Sequence, residues 1–67
     1  MKTKEFKAAA KEKNLRIVNV KRIKKKGNKG YRITFCKVLN SNTETTATEF
    51  EIWNTTLDQW LFEYTHN

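Results

Sequence analysis

Residues 31–53 read YRITFCKVLNSNTETTATEFEIW, and the pattern inside this stretch decides the fold. Tyr31, Ile33 and Phe35 alternate with Arg32, Thr34 and Cys36; Thr48, Phe50 and Ile52 alternate with Ala47, Glu49 and Glu51. Alternation with period two marks strands that bury one face. The strands are expected over 31–39 and 45–53, joined by a four-residue loop, Asn40 to Thr43. That closure sets Leu39 opposite Glu44, Phe35 opposite Thr48, Ile33 opposite Phe50 and Tyr31 opposite Ile52. The aromatic and branched side chains then share one face, while Arg32 meets Glu51 on the other. A slip of one residue would turn the whole apolar set toward water, so pattern and charge select the same register.

Upstream, residues 15–26 (LRIVNVKRIKKK) are rich in Ile and Val and read as a further strand. Its parity breaks: Val18 and Val20 fall on one side, Leu15, Ile17 and Ile23 on the other. A bulge near Val20–Arg22 would reconcile them. Gly27-Asn28-Lys29-Gly30 reads as the hairpin turn that follows, because Gly and Asn tolerate positive φ. At the N-terminal end, residues 4–13 (KEFKAAAKEK) predict a short helix, with Thr3 as N-cap, Phe6, Ala9 and Ala10 on one face, and Asn14 as the stop. At the other end, 57–65 (LDQWLFEYT) predicts a second helix. Thr56 and Gln59 have capping-box spacing, Asp58 suits the positive end of the dipole, and Leu57, Trp60, Leu61 and Tyr64 form an apolar stripe.

The expectation is therefore an α+β domain of 67 residues with element order α-β-β-β-α: a three-stranded antiparallel meander with helices packed on its apolar face. The lone cysteine, Cys36, allows no internal disulfide and suits a reducing compartment, so a cytoplasmic protein is expected. Residues 1–15 hold no continuous apolar stretch, so no signal peptide is expected, and no segment has the length of a membrane span. The sequon Asn54-Thr55-Thr56 carries no weight in a chain that is not exported.

The residues suggest no catalytic constellation, and neither a cofactor nor a metal site is expected. His66 is the only histidine and is expected in a frayed tail. Cys36 has no histidine near it in sequence and reads as an inert, semi-buried thiol beside Ala47. Glu49 and Glu51 share a strand face at a separation (roughly 7 Å) that could suit paired carboxylates, but Arg32 and Thr34 face them and a sheet of this size offers no cleft. Gly27–Gly30 lacks the following helix that a phosphate-binding loop needs.

Charge is the stronger signal. Residues 1–37 hold all 14 basic residues and two acids, Glu5 and Glu12; residues 38–67 hold the other five acids and no Lys or Arg. Half of the cations lie within 21–32: Lys21, Arg22, Lys24, Lys25, Lys26, Lys29 and Arg32. Lysines on an edge strand prevent edge-to-edge association, yet two or three suffice for that. Like charges crowded at a hairpin tip weaken a small domain, and an anionic partner would offset this. The first expectation is a non-enzymatic module that uses this hairpin on the phosphates of DNA or RNA. Tyr31 would offer a stacking surface, and Lys4, Lys7 and Lys11 would help if the first helix lies alongside. The excess of Lys over Arg predicts little sequence preference. The alternative is a small inhibitor or adaptor of the phage or mobile-element type. It would dock on an acidic or nucleic-acid-binding host protein, with exposed Trp53 or Phe62 as anchor. The opposite charges of the two halves also permit head-to-tail self-association.

Overall fold

The computed structural model describes residues 2–40 and 43–66, in the order α1 (Thr3–Glu12), β1 (Leu15–Lys25), β2 (Asn28–Lys37), β3 (Thr48–Trp53) and α2 (Leu57–Thr65). The strands form one antiparallel sheet in the order β1-β2-β3. The β2–β3 ladder has the expected register: Tyr31 opposite Ile52, Arg32 opposite Glu51, Ile33 opposite Phe50 and Phe35 opposite Thr48. It stops there. Val38, not Leu39, faces Glu44, in an isolated bridge. The slip arises because residues 45–47 place three residues opposite two, Cys36 and Lys37. Thr45 binds Lys37 twice, its hydroxyl accepting the Lys37 N–H (3.0 Å) and its own N–H donating to the Lys37 carbonyl (3.0 Å). Strand β3 accordingly begins at Thr48, not at 45, and the expected pairing of Cys36 with Ala47 is not formed. Of the expected loop Asn40–Thr43, Ser41 and Asn42 lie outside the described residues.

The parity break in β1 is resolved three residues earlier than the middle of the expected site. Ile17 faces Phe35, Asn19 faces Thr34 and Val20 faces Ile33, so Val18 is the extra residue and is 43% exposed. Leu15, Ile17 and Val20 thus all reach the helix-bearing face. Ile23 falls on the opposite face, across from Gly30. The turn also differs from expectation. Lys26 (φ 50°) and Gly27 (φ 82°) are its two central residues, between paired Lys25 and Asn28. Two successive positive φ values are what a type I′ hairpin requires. Asn28, Lys29 and Gly30 are therefore strand residues. A loop over Gly27–Gly30 would have set Lys26 opposite Tyr31, and hence Lys24 opposite Ile33 and Arg22 opposite Phe35, putting charge on the buried face. Burial of Val20 and Ile17 outweighs the strain of one left-handed lysine, about 1–2 kcal/mol.

Helix α1 starts one residue earlier than expected. Lys2 occupies the N-cap position without a side-chain hydrogen bond, and Thr3 lies in the first turn. Asn14 ends it in the left-handed region (φ 62°). Helix α2 starts as expected, with the Thr56 hydroxyl accepting the Gln59 N–H at 3.2 Å. Gln59 does not complete the box; its amide donates to Glu63 (3.0 Å) instead. Both helices share the apolar face. Phe6, Ala10, Leu15, Ile17, Ile33, Phe35, Leu57, Trp60 and Leu61 form one buried cluster. Trp60 is its hub, meeting Phe6 (5.9 Å between centroids), Phe35 (5.6 Å), Phe50 (5.4 Å) and Tyr64 (5.3 Å). Tilted and edge-on aromatic pairs each add about 0.5–1.5 kcal/mol beyond burial. Among the described residues, no helix is long and apolar enough to cross a membrane.

Candidate nucleic-acid interface

The molecule measures 43 × 24 × 20 Å, and the long dimension follows from the pairing. Strand β3 accompanies β2 only from Gly30 to Phe35. The ribbon from Lys24 to Lys29 therefore projects past the end of β3 as a two-stranded hairpin. Because successive side chains alternate in direction, its cations divide between two faces. Arg22 and Lys24 on β1, with Lys29 and Tyr31 on β2, share the helix-bearing side, where Tyr31 packs at the margin of the core. Lys21 and Lys25 share the open side with Arg32. Lys26 sits in the turn.

Pairing separates these cations into two groups. Among the described residues, ion pairs join Arg32 to Glu51 (2.9 Å) and Arg16 to Glu44. The hydrogen bond to its glutamate, followed by the glutamate's charge, raises the pKa of each guanidinium. Glu44 is held below the ordinary carboxylate range by its hydrogen bond from Arg16. Arg32, expected to contact phosphate, is thus committed within the sheet. Lys21, Arg22, Lys24, Lys25, Lys26 and Lys29 are in neither pair. Lys24 stands directly opposite Lys29, an arrangement that destabilises a ladder.

Other expected residues fall elsewhere. Lys7 and Lys11 of α1 gather with Leu15, Arg16 and Val38 at the beginning of β1, the end remote from the ribbon tip, so they do not extend the tip's surface. Trp53 is half-buried, not exposed: its ring lies on Gly30, and a Cβ there would come within 2.7 Å of it. Phe62 is 57% exposed. His66, expected in a frayed tail, stacks on Phe62 with centroids 4.2 Å apart and its Nδ1 lies 2.9 Å from the Phe62 carbonyl. Cys36 is buried, and Arg16 Nη2 approaches its Sγ at 3.7 Å. Thr34 donates to Glu49 (3.4 Å), so the Glu49 and Glu51 carboxylates both have sheet partners.

Three residues absent from the expected set, Ile23, Gly30 and Thr55, join it. Ile23 and Thr55 line a hollow of about 420 Å³ together with Arg22, Lys24, Lys29, Gly30 and Tyr31. The β2–β3 register held the signal for Thr55: continued past Gly30–Trp53, it brings Asn54 to Lys29, where the Asn54 N–H donates to the Lys29 carbonyl at 2.9 Å. No protein-family model matches this chain, and no curated protein or solved structure is found similar to it.

Proposed function

We propose that this protein binds nucleic acid through the projecting β1–β2 ribbon, by contacts to phosphate with little sequence preference. The observation that carries this reading is a cluster of six cations in neither ion pair found among the described residues: Lys21 and Arg22 on β1, and Lys24, Lys25, Lys26 and Lys29 at the tip, where Lys24 and Lys29 are directly opposed. The carboxylates near the ribbon, Glu49 and Glu51, are spent on Thr34 and Arg32 further down the sheet. A polyanion would neutralise the tip and release its own condensed counterions, which is the main source of such affinity. Five of the six cations are lysines, point charges on flexible stems that suit phosphate more than base edges.

The test is fluorescence anisotropy with a labelled oligonucleotide. Replacing Lys24, Lys25 and Lys29 with Ala should weaken binding by more than roughly tenfold at low salt while the far-UV circular dichroism stays unchanged. Binding that survives the triple replacement would refute the ribbon as the interface. The adaptor reading rests on one feature, the exposed Phe62–His66 stack at the opposite end of the chain. It predicts a stoichiometric protein complex that resists nuclease and is lost on Phe62→Ala.

A further inference from the structure

The two faces of the ribbon are not equivalent. On the open side the Trp53 ring crowds Gly30, and Ile23 stands across the ladder from that glycine. Arg22, Lys24, Lys29 and Tyr31, which share the helix-bearing side, border the hollow together with Ile23, Gly30 and Thr55. Its volume, about 420 Å³, lies within the ~300–1,000 Å³ of pockets that hold small organic ligands. Arg22 faces Tyr31 and Lys24 faces Lys29 directly across the ladder, so a cationic pair and a cation–aromatic pair stand side by side. Among the described residues Arg22 is the arginine in neither ion pair, and its planar fork suits two phosphate oxygens. Tyr31 is half-buried, packs against the core and also borders the hollow.

We infer that this hollow receives one unpaired nucleotide, with its phosphate among Arg22, Lys24 and Lys29 and its base against Tyr31. The ligand class is then single-stranded nucleic acid, or a single-stranded end. This rests on the nucleic-acid reading above and narrows it. A duplex keeps its bases stacked on one another, so it can offer the hollow only phosphates. An unpaired nucleotide offers both halves, and a π-face is common to every base, so the site needs no sequence preference. Thr55 supplies a hydroxyl at the hollow's edge that can donate to a phosphate or sugar oxygen.

The test compares a labelled oligothymidylate with a duplex of equal length, against the unaltered protein, Tyr31→Leu and Tyr31→Phe. The single strand should bind more tightly than the duplex. Tyr31→Leu should lower single-strand affinity roughly five- to a hundredfold and leave the duplex unchanged, and Tyr31→Phe should behave as the unaltered protein. If the duplex binds as well as the single strand, or Tyr31→Leu weakens both alike, the hollow is not a nucleotide site, although the ribbon still binds nucleic acid. If neither oligonucleotide binds, both readings fall. Should Tyr31→Leu fail to fold, amide shifts of the unaltered protein on adding the oligothymidylate decide. Shifts centred on Arg22, Lys29, Tyr31 and Thr55 support the site, and shifts centred on Trp53 and Glu51 overturn it.

Discussion

Gly30 shows how one residue without a side chain can organise a surface. Its backbone is in the middle strand, and an added Cβ would lie 2.3 Å from the Ile52 carbonyl oxygen and 2.7 Å from the Trp53 ring. Neither obstacle is the loose end of a flexible side chain. Gly30→Ala should therefore cost about 1–3 kcal/mol, visible as a fall in the thermal midpoint. Lys26 presents the opposite case. It holds φ at 50°, where Asn is far better tolerated, and Gly27 follows it. Lys26→Asn creates the preferred Asn-Gly turn pair and should raise stability by about 0.5–1 kcal/mol in the same measurement. These two residues also mark the limit of reading the chain by local signals. The Gly-Asn-Lys-Gly stretch has the chemistry of a turn, yet Gly30 is needed for close approach and the left-handed position falls to a lysine, which gives no such signal.

At the scale of elements, β2 and β3 were legible because two independent requirements agree on their register: apolar residues on one face and Arg32 beside Glu51 on the other. The beginning of β3 was not, because Thr45 replaces ladder bonds with its own hydroxyl, and a threonine so used looks in sequence like any strand threonine. The bulge in β1 was legible as a necessity but not as a place. Ile17 and Val20 must both face the helices, and only burial shows that Val18 is the residue left out. Of the candidate site, the cations were legible from composition, whereas the hollow required knowledge of which residues alternate onto one face. The ribbon itself carries a trade-off between stability and binding. Lys24→Glu converts the opposed pair with Lys29 into an attractive one. It should raise stability by about 0.2–1 kcal/mol in urea unfolding while weakening oligonucleotide binding. Loss of both stability and binding would show that the tip's charges are not in tension. Helix α2 depends on its first turn: Thr56→Ala removes the acceptor for the Gln59 N–H and should cost about 1 kcal/mol.

Charge is divided along the chain, with the cations in α1, β1, β2 and the residues around them, and Glu44, Glu49, Glu51, Asp58 and Glu63 carried by β3, the segment before it and α2. Two of these acids tie its stability to pH. Asp58 is held below the usual range chiefly by a hydrogen bond from the Thr56 side chain, and Glu44 by the hydrogen bond from Arg16. A carboxyl whose pKa is lower folded than unfolded favours the fold above its unfolded pKa, and this contribution fades as pH falls through the folded value. The thermal midpoint should therefore decline below about pH 4, and an Asp58→Asn, Glu44→Gln protein should decline less steeply. Binding of a polyanion by the positive ribbon is tested most directly by the salt dependence of oligonucleotide binding. If the ribbon engages about four phosphates of a duplex, log K should fall against log salt with a slope near −3.6. A slope near zero, or no binding at low salt, would contradict it.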